Sequence, residues 1–333
     1  MCLAIVLVLP AGPVAGQIQQ TSKPAGVIVR ADEGESFLSS DGQRAFLLKV
    51  GPANTGATHL VFGSATIALG AKAPWHRHDR DEEFVFVHKG QVTVTIGEKR
   101  VVAEAGEAVY VPPGTWMTIE NTGSKPATVV GGFTHPEMEE CFRRHIGQRI
   151  FPGDPRWPEV NRLCQITYWM EESDPTTAPE DKTLKTESAG TGVGRGDSEK
   201  VLFPDGRVMY IKVGPKSSGS TDFVLVSEDM PPGTAIPVHR HDRDEEVLFV
   251  QRGVVTVTLG EREAAVEAGD TVYIPSGTWI GVRNTSTELA TIVAIFAHSD
   301  METCFRLLGK VESGEISPKE RAEYTQACAW TVK

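Results

Sequence analysis

The stretch His-Arg-His-Asp-Arg-Asp-Glu-Glu occupies residues 76–83 of the chain and occurs again, unchanged, at residues 239–246. The repeat continues downstream at the same offset of 163 residues, because residues 106–116 and 269–279 share the pattern Gly…Pro-x-Gly-Thr-Trp. A period this long lies far beyond the roughly 20 to 50 residues of solenoid repeats. Each copy is therefore predicted to be a whole domain, and the chain to use one fold twice.

Within each copy the sequence has the pattern of β-strands. Residues 92–97 read VTVTIG and residues 255–260 read VTVTLG, an alternation typical of strands with one buried face. Glycines and prolines interrupt such runs at short intervals, which favours a sandwich, jelly roll or barrel. Each copy is expected to end in a short helical tail. In the second tail, Ser317-Pro318-Lys319-Glu320 has the pattern of a capping box with proline at the first helical position.

The repeated octet contains the residues that predict chemistry. Residues two apart in a strand face the same way, so His76 and His78 point into one space, as do His239 and His241. A neighbouring strand can bring Glu83, or Glu246 in the second copy, beside the two imidazoles. Two histidines and one carboxylate on one face of a cation suit Fe(II), Mn(II), Ni(II), Co(II) or Zn(II).

Glu82 is an alternative carboxylate ligand in the first copy. Strand alternation turns it away from Glu83, so Glu83 is the predicted ligand.

Two longer motifs around these residues resemble those of the cupin family, and the tandem arrangement resembles a bicupin. The first motif is Gly, five residues, His-x-His, three or four residues, Glu, six residues, Gly. The second is Gly, five residues, Pro-x-Gly, two residues, His, three residues, Asn. The residues that fit the motifs are Gly70, His76, His78, Glu83, Gly90, Gly106, Pro112, Gly114 and Asn121, and Gly233, His239, His241, Glu246, Gly253, Gly269, Pro275, Gly277 and Asn284. The resemblance covers about residues 40–135 and 203–298. It implies an all-β fold of two tandem double-stranded β-helix barrels, the cupin jelly roll, with short helical tails.

The third histidine of the family is missing from both copies. Met117 and Ile280 stand in its place, and neither side chain suits a hard divalent ion. Each predicted site therefore has three protein ligands and one vacated position. His135 and His298 occupy equal places just past the last predicted barrel strand. Either could replace the missing ligand or act as a general base, or simply be hydrogen-bonded at the end of a strand.

The charge of the chain argues against two classes of partner. The chain has 333 residues, a formal net charge of −11 and a pI near 5.4. Nucleic acids and anionic membrane surfaces both attract basic patches, so neither is the expected main partner. No apolar run approaches the roughly 18 to 20 residues that a membrane-spanning helix needs. The expected partner is a small-molecule substrate, and a homo-oligomer is left open.

The amino terminus has the order of an export signal. Residues 3–9 read LAIVLVL, and small residues follow at positions 14–16, as in a secretory signal, although no Lys or Arg precedes the apolar run. A frayed tail or a buried edge strand is the alternative. The predicted division is a signal peptide at residues 1–16, a first cupin domain at 27–170, a linker at 171–200 and a second cupin domain at 201–333. The expected location is secreted or periplasmic.

Four cysteines pair by copy. Cys141 and Cys164 lie in the first tail, and Cys304 and Cys328 in the second. In an exported protein this spacing favours two equivalent disulfides, Cys141–Cys164 and Cys304–Cys328. Free buried thiols are the alternative.

The resemblance implies a metal-dependent oxidoreductase like the quercetin dioxygenase type of bicupin, acting on a small chelating organic substrate. Fe(II) or Mn(II) is the expected metal, with Ni, Co and Zn compatible. Non-catalytic binding or storage of a small molecule is the alternative, as is an oxalate-decarboxylase-like or isomerase activity, because this fold hosts many chemistries. The metal ligands implied are His76, His78, Glu83, His239, His241 and Glu246. The candidate catalytic residues are Glu83, Glu246, His135 and His298.

Overall fold

A computed structural model describes residues 26–169, 192–193 and 198–333 of the chain. The predicted signal peptide, residues 1–16, and most of the predicted linker, residues 171–200, lie outside the described residues. Within the described ranges, no helix combines the length and the apolar character that crossing a bilayer requires.

Strands dominate both copies, and they recur in the same order. The strands up to the start of the second copy are β1 (Val27–Val29), β2 (Glu35–Leu38), β3 (Arg44–Val50), β4 (Val61–Ile67), β5 (His76–His78), β6 (Glu83–Lys89), β7 (Gln91–Ile96), β8 (Lys99–Glu104), β9 (Ala108–Val111), β10 (Met117–Glu120), β11 (Ala127–Phe133), β12 (Ile166–Tyr168) and β13 (Gly192–Val193). Those of the second copy are β14 (Glu199–Leu202), β15 (Val208–Val213), β16 (Val224–Met230), β17 (Ala235–His241), β18 (Glu246–Arg252), β19 (Val254–Leu259), β20 (Arg262–Glu267), β21 (Thr271–Ile274), β22 (Ile280–Arg283), β23 (Ala290–Phe296) and β24 (Trp330–Val332).

The helices are few, and all but one lie in the two tails. They are α1 (Pro52–Thr55), α2 (Met138–Cys141), a π-helical turn (Phe142–Gly147), α3 (Trp157–Cys164), α4 (Met301–Ser313) and α5 (Pro318–Cys328). The capping box predicted at the start of α5 is present, since the Ser317 hydroxyl accepts from the Glu320 backbone N–H. Both predicted disulfides, Cys141–Cys164 and Cys304–Cys328, are formed. They join α2 to α3 and α4 to α5.

Each copy consists of one seven-stranded and one five-stranded antiparallel sheet, which confirms the prediction of two tandem jelly rolls. In the first copy the sheet orders are β13-β9-β6-β11-β4-β3-β2 and β12-β5-β10-β7-β8. In the second they are β1-β21-β18-β23-β16-β15-β14 and β20-β19-β22-β17-β24.

The two barrels exchange their first strands. Strand β1 precedes the first copy, yet it pairs with β21 of the second, with Val27 opposite Tyr273. Strand β13 precedes the second copy and pairs with β9 of the first. Each seven-stranded sheet is therefore completed by a strand that comes before the other copy in the chain.

The seven-stranded sheets also pack against each other through aromatic side chains. The rings of Phe84 and Phe223 lie 5.3 Å apart, and those of Phe62 and Phe249 lie 6.2 Å apart. On β6, Phe84 and Phe86 enter this shared core, while Val85 belongs to the core of the first barrel. Strand alternation thus gives β6 two buried faces, one toward its own barrel and one toward the other barrel.

Glu82 directly precedes β6, and its side chain contacts the second barrel. Its carboxylate accepts hydrogen bonds from the Ser220 hydroxyl at 2.6 Å and from the Thr221 backbone N–H at 2.7 Å, and the side chain is buried. Glu82 therefore faces away from Glu83, as strand alternation predicts. Glu245 repeats the contact in the opposite direction, accepting from the backbone N–H groups of His59 and Leu60 at 2.7 and 2.8 Å. We call Glu82 and Glu245 the two latch glutamates.

Candidate metal centre

The first predicted triad comes together on the inside of the first barrel. His76 and His78 are the ends of the short strand β5, and Glu83 begins β6. The ligand atoms of the three side chains lie within 4.8 Å of one another, and His78 Nε2 is 3.6 Å from Glu83 Oε2. Among the described residues, this is the one group of three or more His, Cys, Asp and Glu side chains gathered in this way.

The second triad lies at the same place in the second barrel. The Nε2 atoms of His239 and His241 are 3.2 Å apart, and His241 Nε2 is 3.7 Å from Glu246 Oε2. All three side chains are buried.

One hydrogen bond fixes which nitrogen the first histidine of each triad presents. His76 Nδ1 donates to the Pro74 carbonyl at 2.8 Å, and His239 Nδ1 donates to the Pro237 carbonyl at 2.8 Å. A carbonyl oxygen can only accept, so the proton of the neutral ring resides on Nδ1. The Nε2 lone pair is left for a metal ion, which is how outer hydrogen bonds orient metal-binding histidines.

The donor atoms suit a divalent cation in kind and number, with two imidazole nitrogens and one carboxyl oxygen in each barrel. Glu83 Oε2 and Glu246 Oε2 are buried and have no hydrogen-bond partner in the part of the chain that the structure describes. Two donors held about 2.1 Å from one ion at a right angle lie about 3 Å apart. The 3.2 Å between the second pair of Nε2 atoms is close to that value. A cation would thus satisfy oxygens whose burial is otherwise costly.

Burial sets the charge of both triads before any metal arrives. It raises the pKa of Glu83 to about 8 and that of Glu246 to about 8. It also lowers the pKa of His76 to about 4 and that of His241 to about 3. At neutral pH the imidazoles are neutral, which is their metal-binding form, while each carboxyl must release a proton on binding.

These shifts predict how the stability of the metal-free chain depends on pH. Between the ordinary Glu value of 4.5 and about 8, the folded chain holds a proton on Glu83 that the unfolded chain has lost, so stability falls as pH rises. The triad histidines act in the opposite direction, but only below 6.5. We therefore expect the free energy of unfolding to decrease from pH 6.5 to pH 8, measured by urea denaturation.

Two comparisons isolate this effect. Glu83→Gln together with Glu246→Gln should flatten the profile in that range, and loading wild type with metal should flatten it too, because the metal replaces the proton. A metal-free wild type no steeper than the double variant would contradict the prediction.

Each triad faces a cavity with largely apolar walls. The cavity of the first barrel measures about 180 Å³ and that of the second about 290 Å³. Met117 and Ile280, at the place of the family's third histidine, line these cavities and lie opposite His76 and His239 in strand register. At the place of the family's third histidine, the first barrel thus has a thioether and the second an alkyl group.

His135 and His298 lie elsewhere. His135 Nδ1 is 2.9 Å from Asp81 Oδ1, and His298 Nδ1 is 2.9 Å from Asp244 Oδ1. Neither histidine lines its barrel's cavity. Their role as general bases stays a prediction.

Three polar residues of the first cavity were not predicted from the sequence. Arg44, His145 and Tyr168 line it together with the triad, and the Tyr168 hydroxyl is 2.6 Å from His145 Nε2. Position-by-position comparison of the copies could have singled out His145 and Tyr168, because Leu308 and Val332 replace them. Arg44 could not have been singled out in this way, because the second copy has an arginine, Arg207, at the same position.

Comparison with known proteins supports the resemblance. The family described as "Cupin domain" matches residues 63–131 and 226–296. Quercetin 2,3-dioxygenase of Bacillus subtilis (strain 168) is 22% identical over 307 residues, which cover 88% of this chain and 88% of that protein. The tetracenomycin polyketide synthase protein TcmJ of Streptomyces glaucescens is 30% identical over 112 residues, or 34% of this chain and 73% of that protein.

The fold is shared with a solved structure as well. Oxalate decarboxylase from Bacillus subtilis superposes with a TM-score of 0.60 at 13% identity, covering 94% of this chain and 89% of that one. The repeated motifs, the two jelly rolls and these matches lead to one conclusion: the chain belongs to the cupin family and is a bicupin, with two cupin domains in one polypeptide.

Proposed function

We propose that this bicupin is a metal-dependent oxidoreductase of the dioxygenase type, which acts on a small organic substrate that chelates the metal. The observation that carries the proposal is the first triad: His76, His78 and Glu83 line one largely apolar cavity with neutral nitrogens and a carboxyl oxygen that has no hydrogen-bond partner among the described residues. His239, His241 and Glu246 form the corresponding set in the second barrel. Similarity to quercetin 2,3-dioxygenase along 88% of the chain supports the reaction class.

The chain's own residues would have distinct tasks. A divalent ion, Fe(II) or Mn(II) in this proposal, supplies Lewis acidity toward adjacent substrate oxygens and one-electron chemistry with O₂. His76 and His78 hold one face and leave the opposite side of the site to the substrate. The Glu83 carboxylate would take the proton that a substrate hydroxyl loses. The apolar walls exclude water from the reacting groups.

The compartment is part of the proposal. Both disulfides fit an oxidising environment, where such bonds persist. We infer that the protein is exported, to the periplasm or the outside of the cell.

Metal content tests the proposal. Elemental mass spectrometry would be run on purified wild type, on His76→Ala/His78→Ala and on His239→Ala/His241→Ala. The expected result is about two metals per chain in wild type and about one in each variant, because removal of two of three ligands abolishes a site. Oxygen uptake with a flavonol or a catechol-like compound, on protein loaded with Fe(II), then tests the reaction class.

The outcomes separate the functions. No metal after anaerobic loading with Fe(II) or Mn(II) would overturn the proposal and leave a non-catalytic binding or storage protein. Metal without oxygen uptake on any chelating compound would reject the dioxygenase reaction, and decarboxylase or isomerase chemistry would then be tested.

Restoring the missing ligand should strengthen metal binding. Met117 is buried beside His76, so Met117→His would present a third imidazole to the first site. We expect affinity for Mn(II) or Zn(II) to rise about 10- to 100-fold, the size of effect that a change around a metal ligand produces. Competition with a chromogenic chelator measures it, and Met117→Leu is the control that should leave affinity unchanged. Equal affinities in Met117→His and Met117→Leu would contradict the prediction.

A further inference from the structure

The two cavities differ at one buried charge. Arg44 and Arg207 occupy the same position of the repeat, at the offset of 163 residues, and each lines the cavity of its own barrel. In the second barrel, Arg207 donates to Glu228 at 2.8 Å and to Asp205 at 2.7 Å. The side chains of Arg207 and Glu228 are only 8% and 3% exposed. The guanidinium charge is therefore neutralised within the cavity wall.

The first barrel lacks the neutralising carboxylate. Ala65 stands at the position of Glu228 and lines the first cavity. Arg44 Nε is buried without a hydrogen-bond partner in the described part of the chain, and the one carboxylate paired with this side chain there is Asp41, 3.6 Å from Nη2. Asp41 is 44% exposed, whereas Arg44 is 14% exposed. A guanidinium with so little compensation is costly inside a protein unless an anion pairs with it.

Two further polar groups, His145 and Tyr168, accompany Arg44 in the first cavity. His145 Nδ1 donates to the Ile150 carbonyl at 2.7 Å, so His145 Nε2 accepts from the Tyr168 hydroxyl at 2.6 Å. The Tyr168 ring lies 5.9 Å from that of His76, beside the triad. Apolar residues, Leu308 and Val332, hold the matching positions in the second copy.

Arg44 also shares its cavity with the triad. Its side chain lines the same space as His76, His78 and Glu83. A ligand whose anionic end pairs with Arg44 would therefore have its remaining atoms near His76, His78 and Glu83.

We propose that the first cavity is the substrate site and that it selects a small organic carboxylate, whose negative charge pairs with Arg44. In the second cavity, Glu228 already pairs with Arg207, so that cavity does not bind such a compound. This inference rests on the proposed function for the metal at the triad, but the pairing of Arg44 with a carboxylate does not itself require metal.

Calorimetry with benzoate, and with neutral benzamide as its matched probe, tests the inference. It would be run on the protein as purified and after treatment with a chelator. We expect one benzoate per chain, bound about 10- to 100-fold more tightly than benzamide, the span that one charge-assisted hydrogen bond provides. Arg44→Gln should remove this preference for the anion, and Arg44→Lys should keep part of it.

A second variant introduces into the first barrel the carboxylate that the second barrel has at the position of Glu228. Ala65→Glu places a carboxylate beside Arg44 and should weaken benzoate binding by about the same factor while Arg44 is intact. Thr66→Glu is the matched control, because it adds the same charge at the next, exposed position of β4 and should leave benzoate affinity unchanged. Near-ultraviolet circular dichroism would verify that each variant is folded.

The results separate this inference from the proposed function. Equal benzoate affinity in wild type, Arg44→Gln and Ala65→Glu would overturn the inference, even if metal content were normal. Benzoate binding that depends on Arg44 in a chain that takes up no metal would overturn the proposed function and leave the anion site standing.

Discussion

Glu82→Ala is expected to lower the free energy of unfolding by about 3 to 5 kcal/mol, the range found when one partner of a buried charged contact is removed. The substitution deprives the Ser220 hydroxyl and the Thr221 backbone N–H of their acceptor. The Ser220 hydroxyl and the Glu82 side chain are buried at this contact, where water replaces the carboxylate poorly. Glu245→Ala should have an effect of similar size, because the backbone N–H groups of His59 and Leu60 lose their acceptor.

Guanidinium denaturation followed by tryptophan fluorescence measures the effect. Glu137→Ala is the control: its carboxylate is 48% exposed and pairs with Arg80 at 3.2 Å, so its loss should change stability by less than about 1 kcal/mol. A Glu82→Ala variant as stable as this control would show that the latch glutamates do not hold the barrels together.

The latch has a consequence for the metal site. Glu82 is the chain neighbour of Glu83, and the two carboxyls point to opposite sides of the sheet. Loss of the Glu82 contacts frees the start of β6, so we expect the first site of Glu82→Ala to retain less metal than wild type. The second site, anchored by Glu245, should retain its metal, and metal analysis distinguishes the two.

Removal of the first disulfide, by Cys141→Ser together with Cys164→Ser, is expected to reduce the free energy of unfolding by about 3 kcal/mol. This is the loop-closure entropy that a bridge across 23 residues removes from the unfolded chain. Cys304→Ser with Cys328→Ser, which opens a loop of 24 residues, should have a similar effect. Urea denaturation without reductant gives the change.

The disulfides also support the ligand strands. Cys164 ends α3, and β12 follows it and pairs with β5, with Tyr168 opposite His76. We therefore expect the Cys141/Cys164 variant to lose metal from the first site faster than wild type in the presence of a chelator. Fully reduced wild type, which lacks both bridges, should be less stable than either variant. A stability loss well under 1 kcal/mol in both variants would contradict the loop-closure argument.

Strand exchange makes the copies depend on each other. Strand β1, which precedes the first copy, completes the seven-stranded sheet of the second copy. Strand β13, which precedes the second copy, completes that of the first. The aromatic core between the sheets contains residues of both copies. Each copy of the repeat thus has the cupin fold. Because the two copies share a buried interface, we expect them to unfold together.

The sequence by itself determined the features that depend on short spacing or on repetition. The offset between the octets predicted two copies of one fold, and alternation placed His76 and His78 on the same face and turned Glu82 away from Glu83. Cysteine spacings of 23 and 24 residues in the two tails predicted the disulfides, and the local pattern at Ser317 predicted the capping box. These features are readable because strand and helix geometry fix which near neighbours share a face.

Only the tertiary structure decided which distant groups meet. The partners of the latch glutamates lie well over 100 residues away in the chain, and nothing local in the octet distinguishes a ligand carboxylate from one that binds another barrel. The weak compensation of the Arg44 charge depends on the register of β3 against β4, in which Arg44 lies opposite Ile67 and the nearby residue on the same face of β4 is Ala65 rather than a carboxylate. Contacts of this kind follow from register and docking between elements far apart in sequence, and the pattern of one strand does not contain them.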